Sequence, residues 1–225
     1  MGFEGMSLKT TIMKKALCIM ALTLLVAGGH LCAQTFQLGI KGGGNLSTFT
    51  SSMSNPAYNE YSFNAGWNLG VFTNFWLGNH FAIAPELLYT TAGAKIKTTT
   101  SENNQVVYFN NQLNLKYVSV PVMAKVRFTG GFYLETGPEV NFNVTGGSYQ
   151  NETVKNFTNS AEFAWGAGLG YQSPVGLGIG ARYNVGLTRV NNVNDANFGD
   201  VNWHNSGFQL DLFWTLFNNR KAEEK

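Results

Sequence analysis

Beyond residue 34, apolar and polar positions alternate with a period of two. In WNLGVFTNFW (67–76), Trp67, Leu69 and Val71 share one parity, and Gly66 and Gly70 fall on the other. Alternation of this kind predicts strands with two unlike faces. They lie near 35–46, 63–76, 81–90, 113–128, 132–144, 161–172, 176–188 and 206–217. Strands in soluble sheets typically have ~5–6 residues, whereas about 9–11 tilted residues cross a bilayer. Most of the predicted strands reach that second length. Short connections at LGNH (77–80), TGG (129–131) and QSPV (172–175) alternate with long polar ones at 47–62, 91–112, 145–160 and 189–205. An even strand count with short turns on one side and long loops on the other predicts an all-β, eight-stranded antiparallel up-and-down transmembrane barrel. Its turns face the periplasm.

Sorting the strands by parity separates charge from apolar bulk. One face carries Leu38, Ile40, Trp67, Leu69, Ile83, Leu87, Leu134, Phe163, Trp165, Leu169, Ile179, Leu210, Leu212 and Trp214. The other carries Lys41, Glu86, Lys125, Arg127, Glu135, Glu139, Glu162, Arg182 and Asp211, together with many glycines. Among the charged strand residues only Lys116 keeps apolar parity, near a loop end where a lysine can snorkel. A soluble barrel would turn the apolar face inward and a membrane barrel would turn it outward. The interior of an eight-stranded barrel is only just wide enough to be filled by side chains, and the bulky apolar set would overpack it. Glycine suits a cramped lumen better than a solvated strand face. The apolar face is therefore expected to meet lipid, and the charges are expected to pair as a ladder of salt bridges that plugs the lumen. Trp67, Phe75, Trp165, Tyr171, Tyr183 and Trp214 are expected to form the aromatic girdles. In the last strand, FQLDLFWTLF, parity puts Leu216 rather than the terminal Phe217 toward lipid.

The N-terminus supplies an address. Lys14 and Lys15 precede the apolar run ALCIMALTLLVA and the small-residue stretch ending in Ala33. This describes a cleavable secretory signal peptide over 1–33, with residues 34–225 as one barrel domain. The run is shorter than the about 20 residues of a membrane-spanning helix, and translation could start at Met1 or Met13. Cys32 as a lipidation site is disfavoured by Leu31 before it. Both cysteines, Cys18 and Cys32, precede the cut, so no disulfide or cysteine metal site is expected in the mature chain. The 225-residue chain has 12% charged residues and a net charge of +2. With no basic run, that balance gives no case for nucleic acid, and the frequent aromatics argue against disorder.

Little catalytic chemistry is legible. KGGGN and GAGLG lack the lysine and Ser/Thr of a phosphate loop and read as strand glycines. No cofactor or metal site is expected, and His80 stands alone in a turn. WHNSG (203–207) places His204 and Ser206 two apart on one strand face, with Asp200 as the nearby acid. A serine nucleophile needs such a base and an orienting acid. Three readings follow: a non-enzymatic structural or interaction platform with long external loops, a narrow channel or transporter for small solutes, and a lipid-active hydrolase using His204 and Ser206. The first is preferred because paired charges close a lumen.

Four stretches, GIKGGGNLSTF (39–49), PELLYTTAGAKI (85–96), KYVSVPVMAKV (116–126) and GARYNVGLTRV (180–190), resemble the PorT-like outer-membrane β-barrel ("porin family") proteins of the Bacteroidetes. The resemblance implies an eight-stranded barrel in the outer membrane of a Gram-negative bacterium, reached by export to the periplasm. It implies little about function. The expected surroundings are outer-membrane lipid and lipopolysaccharide, with envelope or secretion proteins as candidate partners, and a monomer is favoured while the oligomeric state stays open. The chain departs from the family at Ser119, where an acidic residue is common.

Overall fold

A computed structural model of the chain describes residues 35–51, 59–102, 105–144, 147–149, 152–154, 161–188 and 203–219. The expected signal peptide and Asp200 lie outside them. The strands are β1 (Thr35–Ser51), β2 (Asn59–Leu77), β3 (Phe81–Glu102), β4 (Gln105–Arg127), β5 (Phe132–Asn143), β6 (Gly147–Tyr149), β7 (Glu152–Val154), β8 (Ala161–Gln172), β9 (Leu177–Gly186) and β10 (Trp203–Asn218). The eight long strands pair antiparallel with their neighbours in order. β1 pairs β10, and β3–β4 pairing completes the ring. The sheet is a closed up-and-down barrel, which leaves its wall without free edges.

Three tight connections lie at one end, and a left-handed glycine marks each: Gly78 (φ 82°), Gly130 (φ 85°) and Gly176 (φ 87°). Only glycine adopts that conformation at little cost. Both ends of the described chain lie at this end too, where the Asn219 backbone N–H donates to the Phe36 carbonyl at 3.0 Å.

The opposite end departs from expectation. Residues 91–102 and 105–112 do not form a loop: β3 continues to Glu102 and β4 begins at Gln105, and the two strands are paired over these residues. β1 and β2 likewise take up much of 47–62. Strands β6 and β7 occupy part of the expected 145–160 loop, and β6 joins the hairpin through Leu113↔Tyr149 and Asn114↔Ser148. The threonine-rich run here has high strand propensity, and pairing satisfies its backbone groups without a loop.

Burial is inverted relative to a soluble protein. The outward face exposes Leu69, Phe81, Leu134, Phe163, Leu169, Phe208, Leu210 and Leu212, while Lys41, Glu86, Lys125, Glu135, Glu139, Glu162, Arg182 and Asp211 are buried inside. Of the residues expected in the girdles, Trp67, Trp165, Tyr183 and Trp214 are exposed on the outer face, and Tyr171 is half-exposed there. Phe75 differs: only 7% exposed, its ring lies 5.3 Å from that of Phe36, which covers it. The reason is register, since Phe36 and Phe75 are direct cross-strand partners.

Phe217 is a second correction. Leu38 pairs Phe217 while Gly39 pairs Thr215, so Leu216 is an extra residue in a β-bulge. A bulge resets the alternation. Leu216 and Phe217 are consequently both exposed, and the Phe217 ring sits 6.0 Å from Phe36.

A closed lumen as the candidate functional site

Glu86 is the centre of the interior. Pro85 pairs Val122 and Pro121 pairs Glu139, and between them the β3–β4 ladder skips Glu86 and Leu87. Proline lacks an N–H and cannot complete that ladder. The alternation of β3 then turns the Glu86 side chain inward, where it has 0% exposure. Arg182 on β9 grips it with two nitrogens, Nη1 to Oε2 at 3.0 Å and Nη2 to Oε1 at 2.9 Å. Lys41 Nζ on β1 donates to both carboxylate oxygens, at 3.1 and 3.2 Å.

The network spreads from there around the wall. Lys41 also pairs Asp211 on β10 at 3.3 Å. Arg182 pairs Glu135 on β5 at 2.6 Å, and Glu135 pairs Lys125 on β4 at 3.2 Å. Asn68 and Gln209 donate to the two oxygens of Asp211 at 3.0 and 2.7 Å. Three bases (Lys41, Lys125, Arg182) thus meet three acids (Glu86, Glu135, Asp211) drawn from six strands. Charge-assisted bonds of this kind are the strong ones, and burial without such partners would cost several kcal/mol per ion.

Phe72, Tyr133 and Phe213 form a layer beneath the charges, which the sequence reading missed. Their rings stand edge to face, with Phe72–Phe213 at 5.6 Å and Tyr133–Phe213 at 6.1 Å. Glycines of adjoining strands make room for them. A Cβ on Gly39 would stand 2.5 Å from the Phe72 ring, and one on Gly170 or Gly178 would run into Tyr133 or Phe213. The Lys125 ammonium rests 4.9 Å above the Tyr133 ring. The available signal was parity, because all three aromatics share the parity of the charges.

Three of the expected ladder residues lie apart from this cluster. Arg127 sits toward the short-turn end, its guanidinium 4.0 Å from the Trp76 ring centre and donating to the Asn79 carbonyl at 3.2 Å. Glu139 and Glu162 sit on the opposite side, and neither makes an ion pair among the described residues. Tyr117 donates to Glu162 at 2.6 Å, and Asn141 bonds to Glu139. The interior is therefore stacked: an acidic polar layer toward the long connections, a neutral charge cluster, an aromatic layer, and a basic mouth. A cavity of about 600 Å³ lies at that mouth and one of about 50 Å³ in the acidic layer, with the cluster between them.

Among the described residues the expected His204–Ser206 pair is not joined, and Asp200 lies outside them. His204 and Ser206 lie on β10 paired to Thr50 and Thr48, and no hydrogen bond joins them. KGGGN and GAGLG are strand interiors in β1 and β8, not loops. His80 is exposed in the β2–β3 turn. Among the described residues no group of three or more His, Cys, Asp or Glu is arranged for a metal.

A closed barrel that is apolar outside and charged inside narrows the choice of family, and one sequence comparison decides it. The family model of the outer membrane protein beta-barrel domain matches residues 32–192, well over half of the chain. The chain belongs to this family. This outer-membrane barrel sits in the outer membrane of a Gram-negative bacterium. No curated protein matches it. Solved structures similar to it include Neisserial surface protein A, 11% identical, with 81% of this chain and 97% of that one aligned at a TM-score of 0.49. Ail of Yersinia pestis is 16% identical over 80% of this chain and 99% of its own, at a TM-score of 0.46. OprG of Pseudomonas aeruginosa is 10% identical over 80% of this chain and 93% of its own, at 0.43.

Proposed function

We propose that this outer-membrane barrel is a non-enzymatic structural or interaction platform of the PorT-like, Bacteroidetes type, working as a monomer with a closed lumen. The observation that carries the reading is the six-residue charge cluster seated on the aromatic layer. Every ion in it is held by at least one opposite charge, so opening a path would strand buried charges, at several kcal/mol per ion. The working surfaces are then the two ends. On the outer side the β3–β4 hairpin continues the wall beyond the last residues of β5 and β9, and it would present backbone and loops to lipopolysaccharide or envelope proteins. On the periplasmic side the mouth beside Arg127 would face secretion or envelope components.

Conductance tests this reading. The refolded barrel, with folding confirmed by heat-modifiable gel mobility, is expected to leave a planar bilayer silent. Reproducible conductance steps from folded protein would overturn the closed lumen and make a narrow channel the better account.

A further inference from the structure

The acidic layer above the charge cluster has more oxygen than the protein uses. The cluster below it is already neutral, and the Arg182 guanidinium is engaged by Glu86 and Glu135. Glu139 and Glu162, 6% and 4% exposed, thus have only neutral hydrogen-bond partners among the described residues, and Arg182 acts on Glu139 from beyond ion-pair distance. They lie on neighbouring strands, two residues apart in register, since Glu139 pairs Ala164 and Asn141 pairs Glu162. Both line the same small cavity of about 50 Å³.

Among the described residues, uncharged polar atoms around that cavity have no partners of their own. Ser119 is 1% exposed, and its Oγ makes no hydrogen bond. Asn45 is 8% exposed, and neither its Oδ1 nor its Nδ2 is bonded. The Oδ1 atoms of Asn184 and Asn205 are unbonded as well, and all four residues line the cavity. Buried polar groups are normally satisfied, and leaving one unpaired costs about 1–3 kcal/mol. A cluster of orphans around one cavity marks the place of something that satisfies them together.

We propose that this cavity binds one divalent cation of the calcium class, entering from the outer side. The donor set is all oxygen: two carboxylates, a hydroxyl and amide carbonyls, with room for water. Hard cations such as Ca²⁺ take six to eight such ligands in flexible geometry. Charge balance selects the divalent ion, because the two carboxylates add to a cluster whose three bases and three acids already cancel. A group of three acids is not needed when amides and waters complete the shell. The site is independent of whether the lumen conducts.

Terbium luminescence tests the site directly. The full barrel is refolded in detergent free of lipopolysaccharide, so that lipid phosphates cannot supply the ion site. Tyr117, bonded to Glu162, is placed to sensitise Tb³⁺ bound beside it. The expected result is saturable luminescence at one ion per chain, displaced by CaCl₂ but not by choline chloride at equal ionic strength. In Glu139→Gln/Glu162→Gln the affinity is expected to fall at least tenfold. If that variant fails to fold, Ser119→Ala and Asn45→Ala serve instead, each expected to weaken binding several-fold. No saturable signal, displacement by choline chloride as effective as by CaCl₂, or unchanged affinity in the folded variants would overturn the proposal.

Discussion

Glu86 shows what a single residue contributes to such an interior. A glutamate after a proline in an apolar run looks misplaced until parity turns it inward, and parity is legible in the sequence. Its partners are not. Lys41 and Arg182 lie 45 and 96 residues from Glu86, and their meeting depends on barrel closure and strand stagger, which no local pattern encodes. The same gap explains why Glu139 and Glu162 belong on the lumenal face but not in the ion-pair cluster. Parity gives the face, and only register gives the height. Glu86→Gln keeps the shape and removes the charge, leaving Lys41 short of one counter-ion and Arg182 without its paired grip. Breaking one side of a buried ion pair costs about 3–5 kcal/mol. A loss of that size is expected in urea unfolding of the refolded barrel. A change under about 1 kcal/mol would mean that water already reaches the cluster, on the scale of exposed pairs.

At the scale of elements, the strands were readable where alternation was strict and unreadable where it relaxed. All eight wall strands fall where the period-two pattern places them. The largest boundary shifts lie in 47–62 and 91–112, where polar residues with strand propensity mimic a loop and the deciding factor is pairing with a neighbour. The bulge at Leu216 is another tertiary feature, since only the β1 register reveals that this residue has no partner. A bulged residue can leave without shifting its neighbours, whereas removing any other residue moves the following side chains to the wrong face. Deleting Leu216 is therefore expected to leave heat-modifiable mobility intact, with Phe217 still paired to Leu38. Deleting Leu212 inverts the strand between that point and its end, and is expected to abolish folding under the same refolding conditions. Equal refolding yields for the two deletions would contradict the bulge.

For the whole molecule the governing fact is the reversal of inside and outside, and it can be tested on one residue. Leu212 projects from the outer face at the height of the charge cluster, next to the inward Asp211, and is 68% exposed. On a soluble barrel a surface position of that exposure would accept arginine within about 0.5 kcal/mol. In a bilayer the guanidinium must leave water or drag headgroups inward, at about 2–4 kcal/mol near the midplane and about 0–1 near an interface. Leu212→Arg in lipid vesicles is expected to lose an amount in the upper range. Leu177→Arg, on an outward side chain beside the short-turn end, is expected to lose much less. The difference between the two variants measures membrane depth and cancels any general effect of adding a cation. If both cost the same small amount, the apolar belt does not lie in hydrocarbon at the height assigned. A steep difference centred on Leu212 puts the buried charge cluster level with the membrane core, where a closed lumen separates the two sides most effectively.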